Sequence, residues 1–435
     1  MSDLLIRGRV LSFLREPEGV EDRASYLYEA DGAVLVREGR IVAVGDHATV
    51  CAQASPDAAV ADHRPHLVLP GFIDAHIHMP QMQVIASYGA ELLSWLNDYT
   101  FPEETRFADA QHARRIARLF LDEMLRHGTT TVAAYCSVHR ASAEAFFEES
   151  HARNMLNVAG KVMMDRNAPD ALRDTPQSAY DDTKALIAAW HGKGRQLYAI
   201  TPRFAITSSP EQMEMAGALA TEHPDCHVQT HLSENHAEIR WTQELYPRAR
   251  DYTDVYARFG LLGPRSLFGH CIHLSEREAD AMAETGSVAV FCPTSNLFLG
   301  SGLFDYQRYR RRQKRLRVAT ATDVGGGTNY SMLRTMDEAY KVIALQGEKL
   351  DPLRSFWQLT RGNAEALSIA DRAGTLEPGT DADVVILDSG ATPAMAIRKE
   401  RVTTLAQELF LIQTLGDDRA VKAVYVAGRE VKEPL

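Results

Sequence analysis

Two histidines, His76 and His78, stand one residue apart just after an apolar run, Leu67-Val68-Leu69-Pro70-Gly71-Phe72-Ile73. In an extended backbone the side chains at i and i+2 share a face, so both imidazoles point the same way. Two neutral imidazoles held together are half of a zinc site. Further side chains of metal-binding or acid-base type follow at wide intervals: His231 and Glu234 in Thr230-His231-Leu232-Ser233-Glu234-Asn235, His270 in Gly269-His270-Cys271, and Asp323 in Thr322-Asp323-Val324-Gly325-Gly326. In a chain with sixteen histidines one His-x-His pair decides little, but each of these groups ends a short strand-like segment. Three imidazoles and a carboxylate, with one position open for water, form a catalytic rather than a structural zinc set. His76, His78, His231 and Asp323 are therefore assigned as ligands of one Zn2+ per subunit. Such an ion lowers the pKa of water to about 7, which makes a nucleophile available at neutral pH. Asp323 can also take the water's proton, and His270 can hold the nucleophile in line by a hydrogen bond. Glu234, three residues beyond His231, is placed to protonate a substrate ring nitrogen as the neighbouring carbon is attacked.

These residues work together only if the strands that carry them end at one place. Eight strand candidates alternate with helical patterns: 67–76, 129–135, 158–163, 197–200, 228–230, 266–269, 288–291 and 318–322. That alternation predicts parallel βα units and an α/β fold, a (β/α)8 TIM-type barrel over residues 67–371. In such a barrel, polar residues at strand C-termini converge on one mouth and are read as catalytic. The helix before the second strand is the clearest, with Ile116, Leu119, Phe120 and Met124 at helical spacing and Gly128 where a left-handed cap belongs. Residues 1–66 and 372–435 read as short strands and turns too few to bury a core alone, so they are expected to combine into a small β-sandwich domain.

Other features narrow the function by exclusion. A net charge of −11 argues against nucleic acid or an anionic membrane as partner. The basic run 308–317 is accordingly expected to be a solvated helix face between the seventh and eighth strands. Five widely spaced cysteines without a C-x-x-C pair fit a reducing cytoplasm. Met1–Gly8 shows no basic-then-apolar leader pattern, and no run of about eighteen apolar residues occurs, so a cytoplasmic protein that does not span a membrane is expected. The end of the fourth strand holds Thr201-Pro202-Arg203-Phe204 and not a lysine that could be carboxylated to bridge two ions, which favours one metal; Lys161 is expected to be a buried lysine with an ion or carbonyl partner. His236-Ala237-Glu238 matches half of the nucleobase-deaminase zinc motif, but no P-C-x-x-C follows.

The stretch Pro70 to His78, with His231, His270 and Asp323, resembles the amidohydrolase superfamily in its mononuclear deaminase branch. Within that branch, segments 78–81, 92–103, 201–204, 231–235 and 322–333 are similar to the guanine deaminases. The resemblance implies hydrolysis of the 2-amino group of guanine to give xanthine and ammonia, a zinc cofactor, a homodimer and a role in purine breakdown. It also implies that Gln81, Arg203 and Phe204 form the base pocket. Their chemistry suits that use: a guanidinium can hold the purine carbonyl, a carboxamide both donates and accepts, and an aromatic ring stacks on the base. Two other readings stay open, the same chemistry on another aminopurine, a pterin or a triazine, and a barrel kept as a non-catalytic scaffold.

Overall fold

In the computed structural model, which describes residues 3–89 and 91–432, two sheets organise the chain. The strands are β1 (Leu4–Phe13), β2 (Tyr26–Arg37), β3 (Arg40–Asp46), β4 (Ala59–Pro70), β5 (Phe72–His78), β6 (Thr129–Tyr135), β7 (Asn157–Gly160), β8 (Val162–Met163), β9 (Gln196–Pro202), β10 (His227–Leu232), β11 (Ser266–His270), β12 (Val288–Phe291), β13 (Arg317–Thr320), β14 (Val384–Leu387), β15 (Val421–Val426) and β16 (Arg429–Glu430). β5, β6, β7, β9, β10, β11, β12 and β13 pair in that order, all parallel, with helices in the connections. This is the (β/α)8 barrel.

The apolar run before His76 is two strands rather than one. Leu67 to Pro70 pair with β14 and β1 in the terminal sheet, and the barrel begins at Phe72. Gly71 makes the hand-over: a Cβ there would lie 2.1 Å from the Thr130 hydroxyl, so the chain can cross between sheets at that point only without a side chain. The third strand is interrupted at Lys161, whose Nζ donates to Asp174 at 2.7 Å and to the Val162 carbonyl at 3.2 Å. The terminal strands form one seven-stranded sheet, β16-β15-β14-β4-β1-β2-β3. It curls until Ile41 of β3 exchanges backbone hydrogen bonds with Gly379 and Thr380, and Ile6, Val34, Val68, Val384 and Ala423 fill the layer inside.

The helix Ala110–Arg126 is capped by Asp109, whose carboxylate accepts the Gln111 and His112 amides. It buries Ile116, Phe120 and Met124 but leaves Leu119 on the solvent side, and Gly128 follows it with a φ of 83°. The basic run is not a freely solvated face. Arg310 pairs with Glu16, Arg311 with Glu348, and Arg308 and Arg312 with Glu276, while Tyr306 and Tyr309 of the same helix are buried. Acidic partners distant in sequence neutralise it, which charge counting along the chain does not reveal.

Side chains close the barrel where first and last strands meet. Asp74 accepts the Thr322 amide at 3.1 Å and the Thr322 hydroxyl. Asn363 donates to the Ile73 and Thr320 carbonyls at 2.7 and 2.8 Å and accepts the Thr320 amide at 2.9 Å. Beyond them the Asp323 amide donates to His76 O and the His78 amide to Val324 O. The seam therefore sets the relative position of His76, His78 and Asp323. Replacing Asn363 with Ala leaves buried backbone groups without partners and is expected to cost about 3 kcal/mol of stability, read as a lowered urea midpoint at unchanged m-value.

Candidate active site

At the C-terminal mouth of the barrel, His76 and His78 project from β5, His231 from β10, His270 from the end of β11, and Asp323 follows β13. His76, His78, His270 and Asp323 are buried, and His231 is half-buried at the mouth. His78 Nε2 lies 3.2 Å from Nε2 of both His76 and His231, and Asp323 Oδ1 lies 3.2 Å from His76 Nε2 and 3.4 Å from His78 Nε2. Ligands about 2.0–2.1 Å from a tetrahedral ion are separated from one another by about 3.3 Å, so these four atoms have the spacing of a coordination shell.

Protonation agrees with that geometry. Burial pushes the His78 imidazole down to about 3 and holds His231 well below its usual value, with His76, His78 and His270 adding to the effect at His231. His231 Nδ1 donates to the Arg203 carbonyl at 2.7 Å, leaving Nε2 unprotonated on the cluster side. Burial opposes charge on Asp323, but the neighbouring His76 and His78 outweigh it and keep the carboxyl well below the ordinary range. Imidazoles gathered beside a carboxylate are the donor set a divalent metal needs.

The backbone is strained where these side chains turn inward. Ser233, His270, Cys271 and Asp323 all have positive φ, between 51° and 71°, at the ends of barrel strands. Gly269 is required by close approach, since a Cβ there would sit 2.7 Å from the His76 ring.

A cavity opens over the cluster, lined by His78, Gln81, Arg203, Phe204, His231, Glu234, His270 and Asp323, with Leu92, Trp95, Leu96 and Leu299 as apolar wall. His76 lies beneath it against Tyr135. The fold thus gathers Gln81, Arg203 and Phe204 in the same space as the imidazole cluster. Glu234 Oε2 lies 3.3 Å from His270 Nε2, and Oε1 accepts the Ser301 hydroxyl at 2.9 Å. Burial, with the charge of Asp323, raises Glu234 to about 8, so it carries a proton at neutral pH and can donate it. His270 Nδ1 meets Asn296 Oδ1 at 2.9 Å, which turns Nε2 toward Glu234 and Asp323.

Several residues that position the site have no signal in local sequence. Glu104 accepts from both Gln81 and Arg203. Asn296, within the Cys292-Pro293-Thr294-Ser295-Asn296 stretch, orients His270. Glu238, part of the apparent half-motif at 236–238, caps its own helix: its carboxylate accepts the Glu234 and Asn235 amides and the Tyr252 hydroxyl. Tyr256 donates to the His231 carbonyl at 2.7 Å. A second group of metal-type side chains, His191, Asp225 and Cys226, is already engaged internally, because His191 Nδ1 accepts the Tyr198 amide at 3.0 Å and Nε2 meets Asp225 at 3.1 Å.

The model of the Amidohydrolase family matches residues 67–431. The chain belongs to this family. It is 46% identical to guanine deaminase of Escherichia coli over 98% of this chain and 97% of that protein. The structure of the E. coli guanine deaminase superposes with a TM-score of 0.96, at 45% identity, covering 98% of this chain and 99% of the other. Guanine deaminase from C. acetobutylicum, solved with guanine bound in the active site, superposes with a TM-score of 0.87 at 28% identity, covering 99% of this amidohydrolase and 100% of the other chain. Among the described residues of this amidohydrolase no helix is long and apolar enough to cross a membrane.

Proposed function

We propose that this amidohydrolase is a guanine deaminase, converting guanine and water to xanthine and ammonia. The observation that carries the reading is one cavity with a three-imidazole, one-carboxylate cluster at its floor and a Gln81–Arg203 pair at its side. The near full-length likeness to E. coli guanine deaminase supports the same substrate.

His76, His78, His231 and Asp323 would hold one Zn2+, which supplies an acidified water molecule at neutral pH. Glu234 delivers its proton to a ring nitrogen beside C2 as the C–O bond forms there, so the electron pair displaced by the addition ends in a neutral N–H rather than on an anionic nitrogen. Asp323 receives the proton of the water, and His270, held by Asn296, keeps the attacking oxygen in line. The C2–N bond then breaks as Asp323 passes its proton to the amino group, which leaves as ammonia, while the C2 hydroxyl becomes the carbonyl and returns its proton to Glu234. Gln81 and Arg203 recognise the polar edge of the base, and Phe204, buried 6.3 Å from the His231 ring centroid, packs against its face. Arg203 ties the two halves together, since its carbonyl accepts His231 Nδ1 while its side chain faces the cavity. On this reading the enzyme works in the cytoplasm, and as a homodimer in purine breakdown, as the resemblance to the guanine deaminases implies.

Two measurements test this. Xanthine and ammonia release from guanine, set against kcat/KM for other aminopurines, pterins and triazines, is expected to rank guanine first; a higher value for another ring overturns the assignment. Arg203→Ala keeps the backbone carbonyl that orients His231, so zinc content should hold while kcat/KM for guanine falls by about a hundredfold. Loss of zinc instead would make the side chain structural.

A further inference from the structure

Behind the base pocket lies a carboxylate that does not line it. Glu104, in the short helix Phe101–Thr105, is buried; its Oε1 accepts Gln81 Nε2 at 3.1 Å and Arg203 Nη1 at 2.9 Å, and its Oε2 accepts Arg203 Nη1 at 2.8 Å. Its own backbone is fixed too, since the Ser137 hydroxyl donates to the Glu104 carbonyl at 2.9 Å. The guanidinium also lies over the Phe101 ring, 5.6 Å from its centroid. Gln81 is clamped from the other end, because its Oε1 accepts the Gly325 amide at 3.1 Å. One carboxylate therefore orients both polar residues of the pocket and cancels the charge of the buried cation.

We infer that Glu104 sets the charge of the base pocket, pairing with Arg203 so that the pocket selects a neutral purine and releases the anionic form of its product. The inference rests on the guanine deaminase reading. Replacing the amino group of guanine with a second carbonyl makes xanthine the more acidic base, so product gains an anionic form that substrate lacks near neutral pH. An uncompensated guanidinium in a water-poor cavity would hold that anion strongly. Glu104 prevents this by supplying the opposite charge within hydrogen-bonding distance of the guanidinium. The titratable groups that face the pair are His78 and His231 of the proposed metal cluster, which a bound metal would hold as neutral ligands, the buried Tyr135 phenol beside them, and His139, which burial lowers. Lys161, nearby, is matched by Asp174.

The test compares xanthine inhibition with guanine turnover across the pH range in which xanthine ionises, using the metal-loaded protein. Glu104→Gln keeps an acceptor and removes the charge. The ratio of guanine KM to xanthine Ki should rise about tenfold on the alkaline side of xanthine ionisation and stay near the native ratio on the acid side. Glu104→Asp, which keeps the charge, should retain the native pH profile, and the double variant E104Q/R203Q, with neither charge, should lose the alkaline gain. A ratio that does not depend on pH in Glu104→Gln overturns the inference, as does an equal alkaline gain in the double variant. If Glu104→Gln does not fold, Glu104→Asp against R203Q decides the matter: equal xanthine profiles in the two overturn it, and weaker alkaline binding of xanthine in R203Q supports it. Failure of the native protein to deaminate guanine is a separate result, which rejects the proposed function itself.

Discussion

Glu234→Gln is expected to retain its metal and lose turnover, by about a hundredfold to ten-thousandfold in kcat, as befits removal of one acid-base group. Glutamine can still accept the Ser301 hydroxyl that now reaches Glu234, so the cavity keeps its shape while the transferable proton is lost. Metal content and steady-state kinetics on the same preparation separate the effects; full activity in the variant would remove Glu234 from the proton path. The buried carboxyl also imposes a pH dependence. Its value in the folded chain is raised from 4.5 to about 8, so the stability it contributes is complete below 4.5 and is lost as pH rises through 8. Glutamine does not ionise. In chelator-treated protein the Tm advantage of Glu234→Gln should therefore grow between pH 4.5 and 8 and level off above. In the loaded enzyme a nearby cation favours the carboxylate, so the alkaline limb of kcat/KM should fall at or below about pH 8 and be absent in the variant.

His231→Ala should abolish both metal retention and activity, as loss of a ligand does where loss of a pocket residue does not. The side chain is locked by its Nδ1–H bond to the Arg203 carbonyl, and its Nε2 is one of three imidazole nitrogens within 3.2 Å of a neighbour. Losing it leaves His76, His78 and Asp323, and metal affinity should fall by several orders of magnitude, read by competition with a chromogenic chelator. Activity at saturating metal should remain at background. Recovery of substantial turnover on adding metal would show that three side chains suffice and that His231 serves another purpose. Comparison with Arg203→Ala is informative, because Arg203 hydrogen-bonds His231 through its main-chain carbonyl.

Where sequence reading reached and where it stopped follow from the range of each interaction. Strand periodicity is local, so the His-x-His pair could be placed on one face from two residues alone, and the alternation of apolar strands with amphipathic helices was enough for a parallel barrel whose strand ends share a mouth. Local pattern could not tell that Leu67–Pro70 and Phe72–His78 belong to different sheets, since both halves are equally apolar and the separation rests on the close packing of Gly71 against Thr130. Nor could it find Glu104, Asn296 or Asn363, each of which acts on a group 23 or more residues away through a side-chain hydrogen bond. Residue types and spacing alone thus determined the barrel and proposed a hydrolytic metal site within it. Tertiary structure decided the distances among the imidazoles, the burial that protonates Glu234, and the pairing of Arg203 with Glu104, because desolvation and charge compensation exist only when parts of the chain remote in sequence are packed together.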